Sequence, residues 1–129
     1  MVAVVIILVA IAGASVYLLT SGPRRTTTTL GLSCLDAEPI ECAHANLQGA
    51  NLAALELVGA NFTGANLKNV DFTQSDLENA TFFNANIANT NFSEADLTGA
   101  NLNGTSIDEA IFCDTIMPDG AQNVVDCSQ

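Results

Sequence analysis

Four cysteines, one histidine and fourteen carboxylates are the side chains of this 129-residue chain that could do chemistry. Cys34 and Cys42 precede a long repetitive region, and Cys113 and Cys127 follow it. His44 stands two residues from Cys42, so a thiolate activated by an imidazole is one chemistry to weigh. It would require an exposed Cys42, and the repeat around it points Cys42 inward while His44 faces out. Zinc is not expected, because there is no C-x-x-C and the two pairs are about 70 residues apart. A disulfide role fits the symmetric placement. Four cysteines allow three pairings, and the local one, Cys34 with Cys42 and Cys113 with Cys127, would staple each end of the repeat. Four reduced thiols, with Cys42 as a filler, are the alternative. Asp71, Asp76 and Asp96 sit where the repeat otherwise places Asn, so their positions have a structural explanation. Glu38 and Glu41 flank the start of the repeat, and Glu94, Asp108 and Glu109 face outward. None of these acids converges with a Ser, Lys or His, so no catalytic residue, cofactor site or metal site is assigned, and the chain does not read as an enzyme.

The elements that carry these residues follow a period of five. Counting from Leu47 gives Leu52, Leu57, Phe62, Leu67, Phe72, Leu77, Phe82, Ile87, Phe92, Leu97, Leu102, Ile107, Phe112 and Met117, all large and apolar. Two residues before each is a mostly small one, as in Ala45, Ala60 and Ala95, with Asn or Asp usually between. A helix would need apolar residues at i, i+3, i+4 and i+7, and a strand would need strict alternation. A short motif that stacks on its own copies is the remaining solution. The pattern small-Asn/Asp-large-x-x resembles the pentapeptide-repeat family through about sixteen consecutive units. The resemblance implies an all-β solenoid, a right-handed quadrilateral β-helix with one pentapeptide per side and four per coil. About four coils over residues 40–119 would make a rod about 19 Å long at ordinary strand spacing.

Stacking at twenty residues sorts the large residues into four interior columns. Leu52, Phe72, Phe92 and Phe112 share one, and Cys42, Phe62, Phe82 and Leu102 another. Five of the six Phe fall in these two columns. Rings stacked on rings would add roughly 0.5–1.5 kcal/mol per pair beyond burial. The Asn positions, Asn46, Asn66 and Asn86 on one side and Asn51 and Asn91 on another, are expected to hydrogen-bond between coils.

The N-terminus is a different material. Val2 to Leu19 is an aliphatic run of about 27 Å if helical, close to the hydrocarbon thickness of a bilayer. We expect a transmembrane helix over residues 1–22, with Val2, Ile6, Val9 and Val16 on the lipid or partner side, Tyr17 near the headgroups and Arg24 and Arg25 at the interface. A cleaved signal peptide is the alternative, but no basic segment precedes the run. Residues 23–39 read as a linker and N-terminal cap with room for a short helix, and residues 120–129 as a C-terminal cap after the turn sequence Met117-Pro118-Asp119-Gly120.

From Thr26 onward, fourteen acids face one base, Lys68, for a charge of −13. That field disfavours nucleic acid and anionic lipid and favours a basic protein surface. Arg24 and Arg25 favour placing the repeat on a cytoplasmic or stromal side, whereas paired cysteines favour an oxidising one. The resemblance to pentapeptide proteins of cyanobacteria and plastids, some of them lumenal, tips the balance to the thylakoid lumen. The expected role is a structural or assembly subunit of a larger membrane complex, such as a photosystem, held by its helix against other membrane subunits. The alternatives are a DNA-mimicking regulator of a topoisomerase, which members of the family that present acidic rods imply, and a free lumenal protein.

Overall fold

The structure, a computed structural model, describes residues 6–8, 17–19, 32–123 and 127. The repeat makes almost no conventional strand. Each pentapeptide contributes a single parallel bridge to the residue twenty positions on, as in Asn46 to Asn66, Asn51 to Asp71, Glu56 to Asp76 and Asn61 to Thr81. Four such bridges, five residues apart, complete one coil, so the solenoid is four-sided. Between coils the backbone bonds run both ways: the Leu52 amide donates to the Asp71 carbonyl at 2.8 Å, and the Asp71 amide donates to the Ala50 carbonyl at 3.0 Å.

The corners explain why five residues suffice for a side. The amide of each small residue donates back to the carbonyl of the large residue three before it, as Ala65 does to Phe62 at 3.0 Å. The second residue after the large one has a positive φ at almost every corner. Gly49, Gly59 and Gly99 supply it without a Cβ, and Asn69, Asn79, Asn84 and Asn89 supply it with the side chain most tolerant of that region. This is the signature of a type II turn. Ala54, with φ 56°, is a corner residue that has neither device. Ala54→Gly is therefore expected to stabilise the rod by about 1 kcal/mol, relieving the Cβ–carbonyl crowding of the left-handed region. Thermal melts checked by circular dichroism would show this, and an unchanged or lower midpoint would mean the corner holds an alanine without strain.

The Asn/Asp position feeds the same corners. Its side-chain oxygen accepts from the amide two residues on, as in Asn51 to Ala53 (3.0 Å), Asp71 to Thr73 (2.9 Å), Asp96 to Thr98 (2.9 Å) and Asn101 to Asn103 (3.0 Å). Bonds between coils are the lesser role. Asn66 donates to Asn46 at 3.0 Å and Asn86 to Asn66 at 3.5 Å, but on the other side Asn91 donates to Thr73 and not to an amide of its own column.

Inside, large and small residues alternate as side chains do on extended backbone. Phe62, Phe72, Phe82 and Phe92 are fully buried. Phe62 and Phe82 stack with centroids 5.3 Å apart; so do Phe72 and Phe92, and Phe92 and Phe112. The two columns meet edge to face, Phe72 against Phe82 at 6.0 Å and Phe82 against Phe92 at 5.6 Å. Leu52 continues the second column as a buried aliphatic. Where the small position is Ser or Thr, its hydroxyl finds a turn carbonyl: Ser75 donates to Phe72, Thr90 to Leu67 and Thr115 to Phe92, each at 2.7 Å. No buried side-chain polar atom among the described residues lacks a partner.

One interior expectation fails. Ile107 is 45% exposed. Its side of the last coil leaves the ladder: Asn86 has no bridge to Ser106, although the neighbouring Thr81–Asn101 and Asn91–Ile111 bridges persist. With no further coil above it, Ile107 has nothing to pack beneath, and Leu102, Phe112 and Met117 are only half-buried for the same reason.

A 3₁₀ helix, Leu32–Asp36, closes the N-terminal end, where Cys34, Leu35 and Ile40 pack on the core. At the other end β3 (Thr115–Ile116) pairs antiparallel with β4 (Gln122–Asn123) across a turn in which the Gly120 amide donates to the Met117 carbonyl at 2.8 Å. Near the N-terminus β1 (Ile6–Leu8) pairs antiparallel with β2 (Tyr17–Leu19). These six residues thus differ from the continuous helix expected over 2–19; β-branched residues such as Val and Ile favour extended pairing. No helix among the described residues is long and apolar enough to cross a membrane. Of the anchor positions, Val2, Val9, Val16, Arg24 and Arg25 lie outside the described residues, as does the rest of the expected span.

Candidate interaction surface

A coil of four five-residue sides turns sequence spacing into faces, and the faces differ in charge. Bridges stack Glu56 on Asp76 and Asp76 on Asp96, three carboxylates in one column at successive coils. Glu78 and Asp119 extend the same face, with Val58 54% exposed beside them. The face carrying Asn61, Thr81 and Asn101 has no charged residue from Asn61 to Gly104, and Phe83 stands on it 43% exposed. The only base among the described residues, Lys68, lies on a third face with Asn46, Asn66 and Asn86.

Stacked like charges work against the fold. Neighbouring coils lie about 4.8 Å apart, and like charges directly opposite cost roughly 0.2–1 kcal/mol. Asp76 keeps one fold-supporting task, accepting from the Glu78 amide at 3.1 Å. An amide oxygen can do that equally well. Asp76→Asn is expected to raise stability by roughly 0.5–1 kcal/mol at low ionic strength, with the gain shrinking as salt screens the column. Denaturant titrations at two salt concentrations would test it, and a loss of stability at both would mean the carboxylates are held by favourable contacts instead.

The reactive side chains resolve differently. Cys34 is joined to Cys42 and Cys113 to Cys127, with Cα–Cα distances of 5.0 and 5.5 Å. Cys42 is 1% exposed, so it offers no nucleophile to His44. His44 is exposed, with φ 59°, and its ring covers the corner glycine of the next coil, Gly64. A Cβ at Gly64 would strike that imidazole. Glu41 accepts from the Asn61 side chain at 2.7 Å and Glu94 from Gln74 at 2.8 Å. These are surface contacts with no shared focus. The depressions are shallow; one, of about 320 Å³, opens between residues 85–88 and 106–109, where the ladder is interrupted. What this geometry offers is a stiff, flat-sided rod with one acidic face and one uncharged face.

Known proteins share this architecture. The family model for the pentapeptide repeat region matches residues 40–112. HetL, a pentapeptide repeat protein involved in heterocyst differentiation regulation in the cyanobacterium Nostoc sp. strain PCC 7120, is 28% identical with a TM-score of 0.64, over 66% of this chain and 39% of its own. A pentapeptide repeat protein from the Arabidopsis thaliana thylakoid lumen is 25% identical with a TM-score of 0.55, over 56% of this chain and 50% of its own. The chain therefore spans half or less of these two structures. No curated protein matches it. With the family model covering more than half of its length, the chain belongs to the pentapeptide-repeat family.

Proposed function

We propose that this chain is a non-catalytic assembly subunit whose acidic rod docks on a basic surface of a larger membrane complex in the thylakoid lumen, a photosystem being the complex favoured. The observation that carries the reading is the Glu56–Asp76–Asp96 column, a line of like charge on a rigid face that folding does not need. The likeness to a thylakoid-lumen protein supports the compartment, as do the two disulfides, which persist in oxidising spaces. The apolar run at Val2–Leu19 supports membrane attachment. A two-stranded pair has open edges that hydrocarbon cannot satisfy, so a bilayer would favour the helical form of this run. Members of the family are generally structural or regulatory proteins and not enzymes, in keeping with a rod without a cleft.

The test is co-migration. Membranes solubilised in mild detergent should show the chain travelling with a pigment-bearing complex. Glu56→Gln, Asp76→Asn and Asp96→Asn combined should weaken docking of the isolated rod at least tenfold and flatten its salt dependence, because rim charges act mainly through on-rate and screening. A chain that migrates alone at every salt concentration would overturn the subunit reading and leave a free lumenal protein, or a regulator in the manner of HetL, as the better account.

A further inference from the structure

Cys113, Asp114 and Cys127 bring their ligand atoms within 4.8 Å of one another at the C-terminal end of the rod. Among the described residues no other group of three His, Cys, Asp or Glu side chains lies as close. Cys113 is half-buried just after Phe112, while Asp114 and Cys127 are exposed. Asp114 Oδ2 lies 4.0 Å from Cys113 Sγ.

We propose that this cluster is a redox-gated zinc site. Oxidised, it is the Cys113–Cys127 disulfide; reduced, the two thiolates and the Asp114 carboxylate hold one Zn²⁺, with water as fourth ligand. Tetrahedral zinc with bonds of about 2.3 Å to sulfur and 2.1 Å to oxygen sets neighbouring S and O roughly 3.6 Å apart, close to the distance already present here. It sets the two sulfurs ~3.8 Å apart, which side-chain rotation provides once the S–S bond is gone. Two soft thiolates with one carboxylate select zinc over calcium or magnesium.

The redox step needs a dithiol reductant. One of its thiolates attacks the exposed Cys127 sulfur, forming a mixed disulfide and releasing Cys113 as thiolate. The reductant's second thiol resolves that bond and leaves as an intramolecular disulfide, freeing Cys127. Two electrons pass to the protein, and zinc then displaces the two thiol protons. The other disulfide lacks these features: Cys42 is 1% exposed. Metal binding would keep the end of the rod closed after reduction, since Cys113 and Cys127 stay tied through the ion.

The experiment uses the full chain in mild detergent, reduced with a phosphine, freed of reductant without oxygen and titrated with Co²⁺ as an optical probe. The expected result is one Co²⁺ per chain, with thiolate-to-cobalt charge-transfer absorption that Zn²⁺ displaces. The oxidised chain and Cys127→Ser should show no such band, Asp114→Asn should bind at least tenfold more weakly, and Cys34→Ser should be unchanged. In the unmutated reduced chain, Zn²⁺ should slow re-formation of the Cys113–Cys127 disulfide by an added oxidant. Absence of the band in the reduced chain, its survival in Cys127→Ser, full affinity in Asp114→Asn, or an unchanged reoxidation rate would each overturn the site.

Discussion

Phe82→Asp is expected to leave the repeat unfolded or molten at room temperature. Phe82 is fully buried, stacks on Phe62, and meets Phe72 and Phe92 edge to face. Truncating such a ring to alanine typically costs about 3–5 kcal/mol. An aspartate adds a charge with no base to meet it, since the only described base, Lys68, is on the surface. Burying an uncompensated charge costs several kcal/mol more. The sum approaches or exceeds the whole stability of an ordinary domain, roughly 5–15 kcal/mol. Phe82→Leu, which keeps an apolar filler as other columns do, should lose only about 1–2 kcal/mol. Circular dichroism and thermal melts on both variants check the pair. A cooperative melt in Phe82→Asp near that of the parent would contradict the packing of the two Phe columns.

Deleting residues 1–25 is expected to move the protein from the membrane fraction into solution. The removed segment contains Val2, Val4, Val5, Ile6, Ile7, Leu8, Val9, Ile11, Val16, Leu18 and Leu19. At the helix centre such residues favour insertion by about 0.3–0.6 kcal/mol each, which together makes roughly 3–6 kcal/mol. The rod itself repels anionic lipid through its charge and offers nothing that would replace that attachment. Fractionation at low and high salt separates the two contributions: the truncated rod should be released fully at high salt, and the parent should stay. If the truncated rod remains on the membrane complex at high salt, the rod and not the apolar run is the main tether.

The solenoid was legible because its rule is local and repeated. Each unit must offer one large interior residue and one small partner, and residues such as Ala60-Asn61-Phe62 say so directly. The spacing of twenty then places Phe62 with Phe82 and Phe72 with Phe92, which are the rings that stack. The cysteines were legible by position but not by chemistry; Asp114 beside Cys113 looked like one acid among many, and only folding brings Cys127 back to it. The corner rule was present and missed. Gly49, Gly59, Asn69, Asn79 and Gly99 all hold the fifth position, but His44, Gln74 and Glu94 interrupt the pattern, because a single left-handed residue is tolerable when the rest of the coil enforces it. The Asn and Asp residues were read chiefly as a ladder between coils, whereas their more regular bond is to the amide two residues on. Ile107 could not be placed from spacing, since the spacing is intact and only the absence of a coil above it exposes the side chain. The N-terminal run is ambiguous for a reason of solvent: the same Val- and Ile-rich sequence suits a strand pair in water and a helix in lipid.

The bridge from each residue to the one twenty positions on sets a quantum of length for this protein. A duplication of twenty residues adds one full turn and returns every column to its place: phenylalanine over phenylalanine, carboxylate over carboxylate. A deletion of five residues spares every local motif, yet it rotates all that follows by one side. Phe82 would then sit over a leucine column and the acidic line would break at the cut. Genes of this kind should therefore grow and shrink in whole turns, and the separation of an acidic from an uncharged side is inherited only by descendants that keep to that count.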